Sequence, residues 1–408
     1  MPDVYKALAL KYRPSKFSEV VSQKVPVRIL RNTLKTKKIY PSLVFYGSAG
    51  SGKTSMARIY AKGLNCSSFE EDVCGVCDSC KAITAGGSLA YIEQDAASNG
   101  NVDDVQELLK VLRYEVPGVA YRVVTLDECH MMSQAAWNSM LKVIEEPPPH
   151  VVFIFVTTEV RKVPETIMSR SFALPFKSIG SEDVGGQLTK IAEQEGIKVG
   201  PEVFEAIARR SAGKMRDAIT LLEQLWVLSD GKEVDEDTMA LVGVCGQDVY
   251  ARFLNLMLAG KIKDGVDLFR HWLVSMGPTD FLKGLEDYLH KLFLHQNGIK
   301  VQVVQPDSKV TWSDLIECIS NVWEMQDVTR SHYSQPRVEN MLARMFLRYG
   351  GARDTEPVEK NPPPPQATEP AHPLLHGNGN GNGKNKQLEG KPEVVQINSL
   401  ADFQKLWR

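Results

Sequence analysis

Two short stretches carry residue types that could do chemistry on a polyphosphate. The first is Gly47, Ser48, Ala49, Gly50, Ser51, Gly52, Lys53 and Thr54. Such a loop must wrap around phosphate oxygens with its backbone N–H groups, and glycine permits the required curl without an obstructing side chain. Lys53 is then placed to reach the outer phosphates as a point charge, and the Thr54 hydroxyl to help hold Mg²⁺. The second is the acidic pair Asp127 and Glu128. Asp127 is placed to bind Mg²⁺ directly or through water, and Glu128 to polarise an attacking water as general base.

A third stretch, CSSFEEDVCGVCDSC, holds Cys66, Cys74, Cys77 and Cys80, four of the seven cysteines of the chain, within fifteen residues. Four thiolates on a short, turn-rich segment suit tetrahedral Zn²⁺. Free or redox-active thiols are the other reading of the same spacing, which overlaps two C-x-x-C steps instead of separating two knuckles.

The elements that must position these residues are legible around them. An apolar run from Leu43 to Tyr46 precedes the glycine-rich loop, and a helical pattern follows it, so strand, loop and helix come in the order that phosphate binding needs. A second run, YRVVTL, leads into Asp127, and a third, HVVFIFVTTEV, ends near Thr157 and Thr158. Strand threonines usually pack; one of these could instead sense a γ-phosphate or position water. Helical stretches such as NVDDVQELLKVL and QAAWNSMLKVIEE alternate with the strands, which implies a doubly wound parallel sheet with ligands at the carboxyl ends of its strands.

Length and composition bound the rest. A chain of 408 residues exceeds the usual limit of one core, and 43% hydrophobic with 24% charged residues is the balance of an ordinary globular protein. The net charge of −2 supplies no global field towards nucleic acid or anionic membrane, so any DNA contact must be local. Lys35, Lys37 and Lys38, and Lys110 with Arg113, are modest basic groups read onto helices, each more typical of a solvated face than of a phosphate ligand. No apolar run is long enough to span a membrane and the N-terminus lacks a signal-like core, so the expectation is a cytoplasmic protein.

Taken in order, LKYRPSKFSEVVSQ, GSAGSGKTS, the cysteine cluster, LDECHMMS, LKVIEEPPPHVVFIFVTTE, IMSRS and GKMRDAI resemble the gamma/tau subunits of bacterial DNA polymerase III, the AAA+ ATPases of sliding-clamp loaders. The resemblance is close over residues 1 to 240 and looser to about 350. It implies a P-loop AAA+ α/β domain, a parallel sheet flanked by helices with a zinc-binding insert, followed by all-α lid and collar domains. It also implies that Tyr12, Arg13 and Pro14 line the adenine pocket and that the nucleotide-binding loop extends through Ser55. Thr158 matches the sensor of the γ-phosphate, Arg170 the finger that completes a neighbouring subunit's site in trans, and Arg216 the second sensor, on the lid. An arginine suits the finger because its fixed positive fork can stabilise charge developing on a transferred phosphoryl group.

Two departures are visible. Ser171 stands where the family commonly has the cysteine of SRC, and Cys129 where an aliphatic residue or alanine is usual. Neither removes a group that hydrolysis requires.

The expected organisation is an ATPase domain over 1–179 with the four-cysteine zinc module at about 64–83, a lid over 180–242, and a helical collar or oligomerisation domain over 243–350. A Pro/Gly/Asn-rich tether over 351–392 cannot bury enough apolar surface to order itself. A terminal peptide follows over 393–408. Its Ser399 and Asp402 have capping-box spacing, and Leu400, Phe403, Leu406 and Trp407 share one helical face. A dozen residues are too few to fold alone, so this stripe is read as docking on a partner.

The function expected is that of an ATP-dependent clamp-loader subunit using ATP, Mg²⁺ and Zn²⁺. Its partners would be other loader subunits in a five-membered ring, the sliding clamp, primer-template DNA held by its backbone, and polymerase or helicase at the terminal peptide. The setting would be a bacterial or phage-infected cell, at the nucleoid. A replisome scaffold with structural nucleotide binding, or another DNA-directed AAA+ motor, stands as the alternative.

Overall fold

The protein's structure is a computed structural model that describes residues 5–350 apart from 235 and 332–334. The tether expected over 351–392 and the terminal peptide over 393–408 lie outside the described residues.

A short α1 (Leu8–Lys11) and α2 (Lys24–Thr36) precede β1 (Ser42–Gly47), from which the glycine-rich loop runs into α3 (Lys53–Asn65). The cysteine segment and α4 (Asp78–Ala85) then lead to β2 (Tyr91–Asp95), α5 (Val102–Leu112), β3 (Arg122–Asp127), α6 (Gln134–Glu145) and β4 (Val151–Thr157). After α7 (Glu165–Met168), β5 (Phe172–Phe176) completes a five-stranded sheet of order β2-β3-β4-β1-β5 in which every pairing is parallel.

The sheet is buried on both faces, as parallel sheets must be. All seven residues of β4 are buried, and they alternate between two cores. Val152, Ile154 and Val156 face the core that also holds Ile59, Tyr60 and Cys80. Phe153 and Phe155 face the one that holds Leu108, Trp137 and Met140. The central strands are the ones the apolar runs announce. The flanking strands β2 and β5 are less obvious: β2 is mostly half-exposed, and β5 contains Pro175, tolerated because it lies at the sheet edge.

The next three helices are α8 (Ser181–Glu195), α9 (Pro201–Ser211) and α10 (Met215–Leu228). They are followed by α11 (Glu236–Leu241), α12 (Gln247–Leu258), α13 (Ile262–Leu273), α14 (Pro278–Gln296), α15 (Trp312–Ser331) and α16 (Gln335–Gly350). One contiguous apolar cluster runs from Val184 and Leu222 through Tyr250 and Phe281 to Leu342 and Phe346. The packing therefore crosses the boundary expected at 242/243.

Helices α12 and α13 are separated where Gly260 takes a φ of 65°. Two groups of basic residues differ from the sequence reading. Lys37 sits in the left-handed cap that ends α2 and Lys38 beyond it, so only Lys35 of that basic group is helical. Arg113 likewise caps α5, leaving Lys110 within the helix. The N-terminal strap, the residues around α1, docks on α8 and α10: Leu8 is buried in their core, its N–H donates to Glu223, and Lys11 lies 2.6 Å from Glu195. Among the described residues no helix is long and apolar enough to cross a membrane.

Candidate active site

The glycine-rich loop is built at the carboxyl end of β1. Gly47 has a φ of 144°, and a Cβ there would collide with the Phe176 carbonyl on neighbouring β5, so only glycine fits where strand becomes loop. The Lys53 side chain is folded onto its own loop, donating to the carbonyls of Gly47 at 2.9 Å and Ser48 at 2.8 Å. Burial lowers its proton affinity, and the charges of Glu128 and Asp127 work against that. Ser51 Oγ also donates to the Ser48 carbonyl, and Ser48 Oγ lies 3.1 Å from Ser178 Oγ.

Pairing of β1 with β4 and of β4 with β3 brings the acidic pair beside this loop. Thr54 Oγ1 donates to Asp127 Oδ2 at 2.7 Å, and the other carboxylate oxygen accepts the Glu128 N–H at 2.9 Å. Burial raises the Asp127 carboxyl above its ordinary value, aided by Glu128 and Glu93 and opposed by those two hydrogen bonds. A hydroxyl and a half-buried carboxylate 2.7 Å apart are an oxygen donor set that fits Mg²⁺ beside a phosphate chain. Glu128 occupies a left-handed conformation, φ 46° and ψ 42°, and its Oε2 accepts from Thr158 Oγ1 at 3.1 Å. Five of the expected site residues thus meet at the ends of β1, β3 and β4.

The remaining ones fall in three places. Tyr12, Arg13 and Pro14 line a cavity of about 680 Å³, together with Lys62, Ile83 and Ile191, between strap, α3, α4 and α8. Arg13 Nε donates to Ser55 Oγ at 3.1 Å, and the Tyr12 hydroxyl to Glu195. Arg216 is exposed in the first turn of α10, which approaches the loop where the Met215 N–H donates to the Gly50 carbonyl at 3.3 Å. Gly50 itself, φ 67°, packs against Lys214, and Ala49 and Gly52 complete the turn. Arg170 lies elsewhere: it precedes β5, whose register with β1 puts Phe172 beside Leu43 and Phe176 beside Gly47. At least four residues of strand, about 13 Å, therefore separate it from its own phosphate loop.

The four cysteine sulfurs lie within 4.8 Å of one another. A tetrahedral ion with Zn–S bonds of about 2.3 Å holds its sulfurs about 3.8 Å apart, so the set fits zinc with small adjustment. Backbone N–H groups point at the sulfurs: that of Cys74 at Cys66 Sγ, 3.5 Å, and that of Cys77 at Cys74 Sγ, 3.3 Å. Burial opposes a thiolate at Cys77, but the N–H groups of Cys80 and Ser67 and the neighbouring thiols outweigh it, bringing that thiol down to about 6. The segment is tied to the body of the domain by Asp72, whose carboxylate accepts the N–H groups of Phe17, Ser18 and Val73 at 2.9, 2.8 and 2.8 Å.

Sequence reasoning missed Asp72, and it missed Glu93, whose carboxylate takes a two-pronged hydrogen bond from Arg58. It also missed His130, against Glu128, and Glu145, against Arg170. Only DECH itself offered a signal, a histidine two residues beyond the acid.

Over 296 residues the chain is 34% identical to a DNA polymerase III subunit gamma of Buchnera aphidicola, covering 72% of this chain and 79% of that protein. It belongs to the DNA polymerase III gamma/tau family. The gamma/tau relatives include the tau subunits of Bacillus subtilis, 33% identical over 343 residues, and Escherichia coli, 38% identical over 245. These alignments cover 82% and 60% of this chain but only 61% and 38% of the two relatives, so the chain spans part of their length. Residues 22–180 match the family described as DNA polymerase III, delta subunit, and residues 183–231 the DNA polymerase III clamp loader subunit ATPase lid domain. In the structure the parallel sheet flanked by helices precedes the residues that match the ATPase lid domain.

Proposed function

We propose that this chain is an ATP-hydrolysing subunit of a sliding-clamp loader, acting with other loader subunits in a five-membered ring to place a clamp on primer-template DNA. The observation that carries this reading is the meeting of Lys53, Thr54, Asp127, Glu128 and Thr158 at one end of the sheet, with Arg170 at the other. An arginine that far from its own loop is placed to serve a neighbour's.

In this mechanism the loop from Gly47 to Thr54 cradles the phosphates with its N–H groups. Lys53 leaves the carbonyls of Gly47 and Ser48 for the outer phosphate oxygens. Thr54 and Asp127 would hold Mg²⁺, which when bound neutralises charge between the phosphates. Glu128 accepts a proton from the attacking water, while Thr158 and Arg216 bind the γ-phosphate from the sheet and the lid. Tyr12, Arg13 and Pro14 hold the base end, with Ser55 fixed by Arg13. Arg170 of one subunit stabilises the charge developing on its neighbour's transferred phosphoryl group. Cys66, Cys74, Cys77 and Cys80 would hold Zn²⁺ in a structural role. The domain limits given above, and contact of the terminal peptide with polymerase or helicase in the cytoplasm, belong to the same reading.

The test is ATP hydrolysis by mixed subunits, Lys53→Ala with Arg170→Ala, in the presence of the other loader subunits, clamp and primed DNA. Each variant alone should be nearly inactive and the mixture partly active. No recovery on mixing, with an active wild type, would reject the shared site.

A further inference from the structure

We propose that His130 is the positioning residue for Glu128, anchoring its carboxylate to the end of β4 when Thr158 turns to the nucleotide; this rests on the reading of Glu128 as general base.

Glu128 Oε2 has two neighbours in the site. Thr158 Oγ1 donates to it at 3.1 Å, and His130 Nδ1 lies 3.3 Å away. A threonine hydroxyl has one hydrogen to give. If Thr158 gives it to a phosphate oxygen, Glu128 loses that donor at the moment its carboxylate must face the water. Nδ1 of His130 then remains within reach of the same oxygen.

His130 is itself held firmly enough to do this. Its side chain is only 9% exposed. Nδ1 is also 3.1 Å from the hydroxyl of Thr157, a fully buried β4 residue, so its single N–H is shared between that oxygen and Glu128 Oε2, and Nε2 faces Glu159 Oε1 at 3.4 Å. Glu159 is fixed in turn by its N–H, which donates to Thr157 Oγ1 at 2.9 Å, and by Lys162 at 3.0 Å. The imidazole thus ties the left-handed turn at Glu128 to the strand end that carries Thr158. A base held by a buried ring on the sheet keeps its aim while the sensor hydroxyl changes partner.

The two nitrogens can be separated by substitution, because an asparagine amide reaches the place of Nδ1 and a glutamine amide that of Nε2. With the full chain assembled with the other loader subunits, clamp and primed DNA, kcat and KM for ATP would be measured for His130→Ala, His130→Asn, His130→Gln and Glu128→Gln. The affinity for a fluorescent ATP analogue would be measured alongside. The expected result is a kcat about 10- to 100-fold lower in the Ala and Gln variants, with KM and affinity within about twofold, and recovery to within about threefold of wild type in the Asn variant. His130→Ala added to Glu128→Gln should lower kcat no further. An unchanged kcat in His130→Ala, or rescue by Gln and not Asn, overturns the proposal. So does a parallel loss of affinity and melting temperature in every variant, Asn included. If His130→Ala fails to fold, the Asn and Gln pair still decides. If Glu128→Gln leaves kcat intact, the general-base reading itself fails and this proposal with it.

Discussion

Glu145, in the last turn of α6, holds the guanidinium of Arg170: Glu145 Oε1 lies 2.8 Å from Nη2, while Nη1 donates to the Thr166 carbonyl at 3.0 Å. Both side chains are substantially exposed, so the pair adds little to stability, but it sets the direction in which the arginine leaves the surface.

Glu145→Ala should therefore leave the melting temperature unchanged and lower ATP hydrolysis by the assembled loader about tenfold, against about a thousandfold for Arg170→Ala. The loss should appear at the site facing the variant subunit, which mixing with Lys53→Ala subunits would locate. Activity equal to wild type in Glu145→Ala would show that the finger is aimed by something else.

Asp127 is predicted to trade stability for function. Burial raises its carboxyl above the ordinary value of 3.8, so the native chain binds this proton more tightly than the unfolded chain. Its contribution to stability is then fully present below the unfolded value and is lost as pH rises through the folded one. An asparagine in place of the acid can accept from the Glu128 N–H and donate to Thr54, with no charge to desolvate. Asp127→Asn should raise the melting temperature at neutral pH, in EDTA and without nucleotide, by about 2 °C, while abolishing hydrolysis. A lower melting temperature would contradict this.

Asp72 carries the opposite sign. The N–H groups of Phe17, Ser18 and Val73 outweigh its burial and hold its carboxyl below the ordinary value of 3.8. Its stabilisation is present above that value and is lost as pH falls through the lower folded one. Asp72→Ala leaves the part-buried N–H groups of Phe17 and Val73 without this acceptor, that of the exposed Ser18 turning to water, and should cost about 1–3 kcal/mol, seen in thermal or urea melts. Asp72→Asn, which keeps one oxygen, should cost less. Equal effects of the two would mean that the contacts are incidental.

Protein purified without chelator should contain one zinc ion per chain, by elemental analysis. Stripping it with a strong chelator, or replacing Cys80 with serine, should open the segment between Cys66 and Cys80 to proteolysis, because a loop this short has little core of its own to hold it. Cys80 and Val73 are buried in the sheet core, so loosening should spread to α4. Absence of zinc, or proteolysis indifferent to its removal, would return the four thiols to a non-metal role.

What the sequence determined by itself was the chemistry whose parts are contiguous. A glycine-rich loop from Gly47 to Thr54, an acidic pair at a strand end and four crowded cysteines are legible because backbone curl, strand polarity and ligand spacing act over a few residues. The buried strands β1, β3 and β4 were legible for a related reason, since a strand covered on both faces is mostly apolar along its length. The edge strands β2 and β5 were not, because one flank of each is free of the constraint. The tertiary structure alone decided the pairings across long separations: His130 with Glu159, Glu145 with Arg170, Asp72 with Phe17, and Leu8 with Glu223. Each joins groups that become neighbours only once the strand order is set and the lid and strap have docked, and no local pattern records that order.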